Sequence, residues 1–113
     1  MHPAIGRLTQ LAELSLYSNQ LRGLPTSIGD LRSLTNLFLS DNRVQELPPD
    51  VGRLTALQRL YLTGNQLRNL PAEIRHCTAL VFLNLASNSL PALPEGETLS
   101  PASVALRLLA DSQ

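Results

Sequence analysis

Leucine and asparagine recur along this chain with a period of 23 residues, and that period predicts a stack of similar coils. Asparagine stands at positions 19, 42, 65 and 88, each time within the same frame of leucines. Set in register, the coils share the pattern LxxLxLxxNxLxxLPxxIGxLxx and begin at Leu11, Leu34, Leu57 and Leu80. We call the position of a residue within the 23-residue repeat its phase. Residues that are the same in every coil at a given phase build the stack, whereas residues that differ between coils at a given phase are free to recognise a partner.

Each coil begins with an alternation of apolar and variable residues, which is the pattern of a strand with one buried face. The leucine pairs expected to point inward are Leu14/Leu16, Leu37/Leu39, Leu60/Leu62 and Leu83/Leu85. Since successive coils run in the same direction, their strands should form one parallel sheet, spaced by about 4.8 Å. A Leu-Pro pair then ends each extended segment, because proline has no N–H for a sheet ladder. Ile28, Val51 and Ile74 should point inward from a short helical turn.

The pattern resembles that of the leucine-rich repeat family, and its LPxxIGxL half looks most like the 23-residue intracellular, Ras-group type. Four consecutive copies without an insertion cover residues 4–94. The resemblance implies an α/β solenoid, a right-handed superhelix with the parallel sheet on its concave face and irregular or short helical segments on its convex side. It also implies signalling scaffolds, some of which contact small GTPases.

We predict a single leucine-rich repeat domain over residues 1–113. A partial repeat covers 4–10, and four repeats cover 11–33, 34–56, 57–79 and 80–97. The last repeat loses the pattern after Pro94, and a helix at 100–111 should cap the stack. Ser100 and Pro101 suit the start of that helix, because serine caps helix N-termini and proline favours the first helical position. A partner- or membrane-binding helix is the less favoured alternative.

The recurring asparagines are predicted to be structural. They follow the strands, where the backbone groups of the bend cannot all pair with one another. An asparagine amide offers two donors and an acceptor, so a buried ladder of such side chains would satisfy backbone groups within and between coils. The predicted ladder consists of Asn19, Asn42, Asn65 and Asn88.

The outward residues of the strands form columns on the concave face, and all four aromatic residues of the chain lie in these columns. The predicted oblique stripe consists of Tyr17, Phe38, Tyr61 and Phe82. Aromatic side chains often anchor protein partners, so we expect this stripe to bind one. Glu13, Asp41 and Arg59 would add charge selectivity at its margin. Alternatively, the rings only support the sheet, since aromatic residues favour strands and stack across them.

Composition excludes several other functions. The nine basic residues balance nine acidic residues, which argues against a general nucleic-acid or membrane-surface binder, because such a binder needs a positive field. No segment approaches the roughly 20 apolar residues of a membrane span. The single cysteine excludes an intramolecular disulfide framework, and the sequence shows neither a secretion signal nor an N-x-S/T site. We therefore expect a cytoplasmic protein.

The residues indicate neither catalysis nor a cofactor. His76 and Cys77 are adjacent, as in a nucleophilic pair or half of a metal site. However, Cys77 has the inward phase of Leu31 and Leu54, so it should replace a core leucine. A metal site needs three or four ligands, and the only other histidine is His2. No catalytic residue, metal or cofactor is therefore predicted.

Two further surface features leave alternatives open. Arg22, Arg43 and Arg68 follow the asparagine turn and would suit an acidic partner patch, although a solvated edge is favoured. Residues 1–10 provide no strand, so the strand near Leu14 should be an open sheet edge. A longer parent chain, self-association through that edge, or concealment by a partner would each account for it.

These observations favour a non-catalytic protein–protein interaction module that binds a partner protein through the concave sheet face. One alternative is a regulatory repeat fragment of a larger signalling protein of the kinase or ubiquitin-ligase type. Another is a structural, self-associating unit. A small GTPase is a candidate partner by resemblance only, and neither nucleic acid nor membrane is expected to bind.

Overall fold

Four β-strands alternate with four short 3-10 helices in a computed structural model, which describes residues 1–89. The strands are β1 Glu13–Ser15, β2 Asn36–Phe38, β3 Arg59–Tyr61 and β4 Phe82–Asn84. The helices are η1 Pro3–Arg7, η2 Thr26–Asp30, η3 Pro49–Arg53 and η4 Ala72–His76. The end of the fourth predicted repeat and the helix predicted at 100–111 lie outside the described residues.

The strands form one parallel sheet in chain order, which confirms the predicted sheet. Leu14 pairs with Leu37, Leu37 with Leu60, and Leu60 with Leu83, so each step of the register is one whole repeat. Residues of equal phase therefore stand side by side. The columns inferred from the sequence are columns in the structure.

The core lies between the sheet and the helices and is built from the recurring apolar residues. The inward leucines of β2 to β4 and of the residues just after them are buried, namely Leu37, Leu39, Leu60, Leu62, Leu83 and Leu85. Leu14 and Leu16 of the first coil are only half-buried, although they share their phases with these buried leucines. Leu8 is 51% exposed although it shares its phase with the buried Leu31 and Leu54. The first coil thus lacks the cover that completes the core elsewhere.

A five-residue 3-10 helix follows each of the Leu-Pro pairs at residues 24–25, 47–48 and 70–71, in agreement with the short helical turn predicted there. Pro25, Pro48 and Pro71 precede η2, η3 and η4, with φ angles of −70°, −67° and −65°. Proline holds φ in this range, so the same entry angle is repeated in each coil. The buried residues that these helices turn inward are Ile28, Val51 and Ile74.

Glycine at one phase of these helices allows successive coils to approach closely. A Cβ atom on Gly29 would lie 2.6 Å from the backbone oxygen of Asp50. A Cβ atom on Gly52 would lie 2.6 Å from the backbone oxygen of Glu73. Either clash would force the coils apart, so glycine sets their spacing on the helical side.

An exposed charged group also links the helices. The Arg53 guanidinium donates to Asp30 Oδ1 at 2.9 Å and to Asp50 Oδ2 at 3.2 Å, and the hydrogen bond to Asp30 is the main reason that its pKa is raised. A third hydrogen bond from Arg53 reaches the backbone oxygen of Thr26 at 3.2 Å. Exposed ion pairs contribute little free energy, so this group positions side chains more than it stabilises the stack.

Asparagine side chains tie each coil to the coil before it. Asn65 Oδ1 accepts a hydrogen bond from the backbone N–H of Val44 at 3.0 Å. Asn65 Nδ2 donates to the backbone oxygens of Leu39 at 2.9 Å and Leu62 at 3.1 Å. One amide group therefore satisfies backbone groups of two coils at the point where both chains bend.

The rungs of this ladder are not equivalent. Asn42 and Asn88 repeat the bridging pattern one coil before and one coil after Asn65. Asn19 donates only to two carbonyl oxygens of its own coil, at 2.9 and 3.2 Å, and it is exposed. Asn42 and Asn65 are buried, whereas Asn88 is half-buried and Asn19 is exposed. The expectation of a buried ladder that bridges the coils is therefore wrong at Asn19, whose side chain is exposed and bonds only within its own coil, whereas Asn88 bridges but is buried only in part.

Replacing Gly52 with alanine should destabilise the fold by about 1–3 kcal/mol, because the new Cβ meets a fixed backbone oxygen. Gly23 is the matched control, since a Cβ atom there meets nothing within 4 Å. Gly23→Ala should change the free energy of unfolding by less than about 1 kcal/mol. Urea unfolding of the two variants measures the difference, and equal effects would contradict the spacing role of Gly52.

Replacing Asn65 with alanine should cost roughly 2–4 kcal/mol, because the buried N–H of Val44 loses its acceptor and two carbonyl groups lose a donor. Asn19→Ala should cost less than about 1 kcal/mol, since its amide is exposed. Thermal and urea unfolding would measure both values. If Asn19→Ala lowered the free energy of unfolding as much as Asn65→Ala, the stabilising effect would not come from hydrogen bonds between coils.

Candidate functional site

Three of the four predicted rings form a continuous stack on the concave face. Phe38 and Tyr61 are register partners on β2 and β3, with ring centroids 4.7 Å apart and planes 13° from parallel. Phe82 on β4 continues the stack, with its centroid 5.0 Å from that of Tyr61 and a 41° tilt. Strand spacing of about 4.8 Å puts the register partners Phe38 and Tyr61 at contact distance. Phe82 reaches Tyr61 diagonally, because the β4 register partner of Tyr61 is Asn84. We call Phe38, Tyr61 and Phe82 the aromatic stack.

Tyr17 does not join the aromatic stack. Its side chain is 58% exposed, and no other ring of the described residues contacts it. The reason is register, because Ser15 and not Tyr17 is the β1 partner of Phe38. The expected stripe of four rings is therefore a stack of three with one separate, exposed tyrosine beside it.

The charged residues predicted at the margin differ in how they are held. Glu13, Asn36 and Arg59 stand in one column across β1, β2 and β3. Asn36 Nδ2 donates to Glu13 Oε1 at 3.2 Å, while Asn36 Oδ1 is buried without a partner among the described residues. Arg59 is exposed and forms no ion pair within residues 1–89. Its charge is therefore available to a ligand, whereas Glu13 is partly engaged.

Asp41 lies just after β2 in a strained part of the bend. Its φ angle is +60°, and Ser18, Gly64 and Ser87 at the same phase also have positive φ. A Cβ atom on Gly64 would lie 2.5 Å from Asp41 Oδ1, so the carboxylate leans over the next coil. Residues other than glycine adopt this conformation only when the surrounding structure imposes it, at a cost of about 1–3 kcal/mol. The bend therefore fixes Asp41 at the edge of the face.

The structure groups the predicted site residues unevenly. It brings the aromatic stack together, places Glu13 and Arg59 in the column that ends at Phe82, and leaves Tyr17 and Asp41 at the margin. Sequence reasoning did not count Asn36 among the site residues. Its position between Glu13 and Arg59 in the column was the available signal, because a polar residue between two charges is a natural hydrogen-bonding partner.

Cys77 is a core residue, as its phase predicted. Its side chain is fully buried, and its thiol donates to the backbone oxygen of Val51 at 3.2 Å. Burial raises the pKa of Cys77 to about 11, so the thiol is protonated at neutral pH. His76 is exposed. The two side chains thus occupy different environments and do not form a nucleophilic pair.

Residues 1–89 contain no group of three or more His, Cys, Asp or Glu side chains arranged to hold a metal ion. Over the same residues, no helix has both the length and the apolar character needed to cross a bilayer.

Alkylation of Cys77 by iodoacetamide should be slow in the folded protein at pH 7.5. A pKa near 11 instead of 9 leaves roughly a hundredfold less thiolate, and burial adds a further barrier. The rate should rise about tenfold per pH unit until the pH approaches 11, because the thiolate fraction does so below the pKa, and it should also rise in denaturant. His76→Ala should leave the rate unchanged, whereas a slower reaction of that variant would indicate that His76 activates the thiol.

The family model described as a leucine-rich repeat region matches residues 2–97. No curated protein sequence matches significantly. Solved structures do match, and a leucine-rich repeat protein of Leptospira interrogans is 41% identical, with a TM-score of 0.78, over 80% of this chain and 23% of that chain.

Two plant receptors are also similar. The peptide hormone receptor RGFR1, solved with RGF2, is 46% identical, with a TM-score of 0.71, over 78% of this chain and 15% of that chain. The ectodomain of the Arabidopsis thaliana receptor kinase GASSHO1/SCHENGEN3 is 38% identical, with a TM-score of 0.74, over 80% of this chain and 11% of that chain. This chain thus spans less than a quarter of each of the three.

The intracellular, Ras-group subtype suggested by the sequence stays a prediction. The family itself follows from a match that covers most of the chain, from the similar solved structures and from a parallel sheet that repeats once per coil. This chain belongs to the leucine-rich repeat family.

Proposed function

We propose that this chain is a non-catalytic interaction module that binds a protein or peptide partner through the aromatic stack on its concave face. One observation carries the proposal: three aligned, half-exposed rings lie on the outer side of the sheet, whose other side is filled by the core. Aromatic residues are enriched at interfaces because a ring contributes a large contact area at a small entropy cost.

The aromatic stack is ordered before a ligand arrives. Phe38 and Tyr61 lie nearly parallel, and each ring restricts its neighbour. A partner that lands on them therefore does not have to immobilise flexible side chains, which lowers the cost of binding. The exposed ring of Tyr17 would extend the same contact at its margin.

Charges at the margin would select among partners. Arg59 lies in the column next to Tyr61 and is free of ion pairs within the described residues. Asp41 and Glu13 place negative charge on the first two coils. A partner with an acidic group near Arg59 and a basic group near Asp41 would fit best, because rim charges mainly set specificity and association rate.

Relatives support a protein or peptide ligand. RGFR1 was solved with RGF2, and GASSHO1/SCHENGEN3 with CASPARIAN STRIP INTEGRITY FACTOR 2. The described strands form a small patch, which we expect to bury less than the ~800 Å² per partner of a standard interface. We therefore propose weak binding by this chain alone, with a dissociation constant of about micromolar order.

A second candidate function is regulation within a larger signalling protein. The observation in its favour is that the chain spans only 11–23% of the three similar structures described above, one of which is the ectodomain of a receptor kinase. A kinase or ubiquitin-ligase domain would then lie in the same reading frame, which sequencing of the full gene would reveal. A cytoplasmic location is part of our proposal, and no observation selects a small GTPase as the partner.

A third candidate function is self-association through the open edge of β1. That strand has a neighbour on one side only in the described sheet, and unpaired strand edges promote pairing between chains. Light scattering at increasing protein concentration distinguishes this possibility, since an interaction module of the proposed kind would remain a monomer.

Peptides selected from a random displayed library on the wild-type chain would test the proposal. The Phe38→Ser/Tyr61→Ser variant should bind these peptides at least tenfold more weakly, because it loses the two parallel rings. Circular dichroism would verify that the variant folds.

The matched control is Leu8→Ser/Val81→Ser, which removes two exposed apolar side chains from outside the aromatic stack. It should bind the selected peptides within about twofold of wild type, since rim contacts contribute little. Equal losses in both variants would mean that exposed apolar area in general, and not the aromatic stack, holds the peptides.

A further inference from the structure

A second surface, which is polar, lies on the flank of the solenoid in the segments that follow Asn19, Asn42 and Asn65. There each of three coils presents two exposed side chains on either side of an inward residue, which is Leu21, Val44 or Leu67. These exposed side chains are Gln20, Arg22, Arg43, Gln45, Gln66 and Arg68. We call them the arginine–glutamine band. None of them belongs to the aromatic stack or to its charged margin.

The backbone holds the band in register. The N–H of Arg43 donates to the Leu21 oxygen at 2.8 Å, and the N–H of Gln66 donates to the Val44 oxygen at 3.0 Å. The segments thus lie side by side at the spacing of the coils. Their side chains form two adjoining columns, with a groove of about 270 Å³ between Arg22, Arg43, Gln45 and Gln66.

The band carries positive charge without a counterion. Within residues 1–89, both ion pairs belong to Arg53, which two carboxylates hold. The arginines of the band form no such pair, and the band itself contains no acidic residue. Glu46 borders the band and lines the adjacent groove with Arg22. Since the whole chain has a net charge of zero, this concentration of cations is local to the flank.

We infer that the arginine–glutamine band binds an acidic, extended segment of a protein partner. A guanidinium group offers a planar fork that matches a carboxylate in two parallel hydrogen bonds. A glutamine amide both donates and accepts, so it complements the peptide groups between the acidic side chains. The alternation of the two residue types across the band fits a ligand that alternates carboxylates with backbone amides.

The dimensions fit such a ligand. Alternate side chains of an extended peptide lie about 6.6 Å apart, and neighbouring coils lie about 4.8 Å apart. Long arginine side chains on successive coils reach across this difference. Two or three carboxylates at alternate positions would therefore meet Arg22, Arg43 and Arg68 together. A nucleic acid is a poorer fit, because it needs a broad positive field and this chain has none.

The test uses a fluorescein-labelled, eight-residue peptide of alternating glutamate and alanine, followed by anisotropy in low and physiological salt. The band variant is R22Q/R43Q/R68Q. The control R7Q/R32Q/R75Q removes the same charge from three other exposed arginines. We expect at least a tenfold loss of affinity in the band variant and a change within twofold in the control. Circular dichroism verifies that both variants fold.

A lysine variant, R22K/R43K/R68K, separates charge from shape. It keeps the positive charges but loses the planar forks, so its affinity should fall between those of wild type and the glutamine variant. Wild-type affinity in the lysine variant would contradict recognition by guanidinium forks. The F38S/Y61S variant should bind the acidic peptide normally, because the band does not depend on the aromatic stack.

Three results would overturn the inference. The first is that the peptide does not bind the wild-type chain at low salt. The second is an equal loss in the band variant and in the control, which would indicate attraction by net charge alone. The third is that an eight-nucleotide single-stranded DNA binds as tightly as the peptide and loses affinity in the same variant, which would make the flank a general polyanion surface.

Discussion

The rest of the structure depends on the hydrogen bonds that the side chains of Asn42, Asn65 and Asn88 make with the preceding coil. The backbone oxygen of Leu39 accepts hydrogen bonds from the side-chain amides of both Asn42 and Asn65, so asparagines of two successive coils share one carbonyl group. Once these bonds fix one bend over the next, the strands pair with a shift of one whole repeat. Glycine at the helical phase then lets the other side of the coil close to the same spacing. A network in which each buried group has a partner specifies one geometry.

Both proposed surfaces follow from that geometry. Phe38 and Tyr61 are far apart in sequence, yet a shared phase places their rings 4.7 Å apart. The same winding brings Arg22 and Arg43 to one groove on the flank. The stack is fixed by its recurring residues, so the varying positions can change without loss of the fold. The chain thereby offers an apolar concave surface and a cationic flank on one rigid frame.

The position of a residue within the repeat predicted well whether its side chain is buried, wherever its coil lies between two other coils of residues 1–89. Cys77 could be placed in the core and Asn65 in the bridge because every coil repeats the same packing. Phase failed at the N-terminal end of the stack, where Leu8 and Asn19 are exposed because no complete coil covers them. Phase also did not predict that Tyr17 lies outside the aromatic stack, because the strand register pairs Phe38 with Ser15. The hydrogen bond of Asn36 also escaped prediction, because it depends on which side chain stands next to it across the sheet. The repeat period predicts where each residue lies in the stack. The hydrogen bonds of its side chain depend on which side chains stand next to it in the neighbouring coils.

Hydrogen exchange at the backbone amides of the bends tests the central claim most directly. The N–H of Val44 lies outside the strands and helices, and the Asn65 side chain accepts its hydrogen bond. NMR-detected exchange should show this amide protected as well as the sheet-bonded amide of Leu62, because both open only when coils separate. Exchange of the Val44 amide at the rate of an unstructured peptide, with Leu62 still protected, would contradict the account.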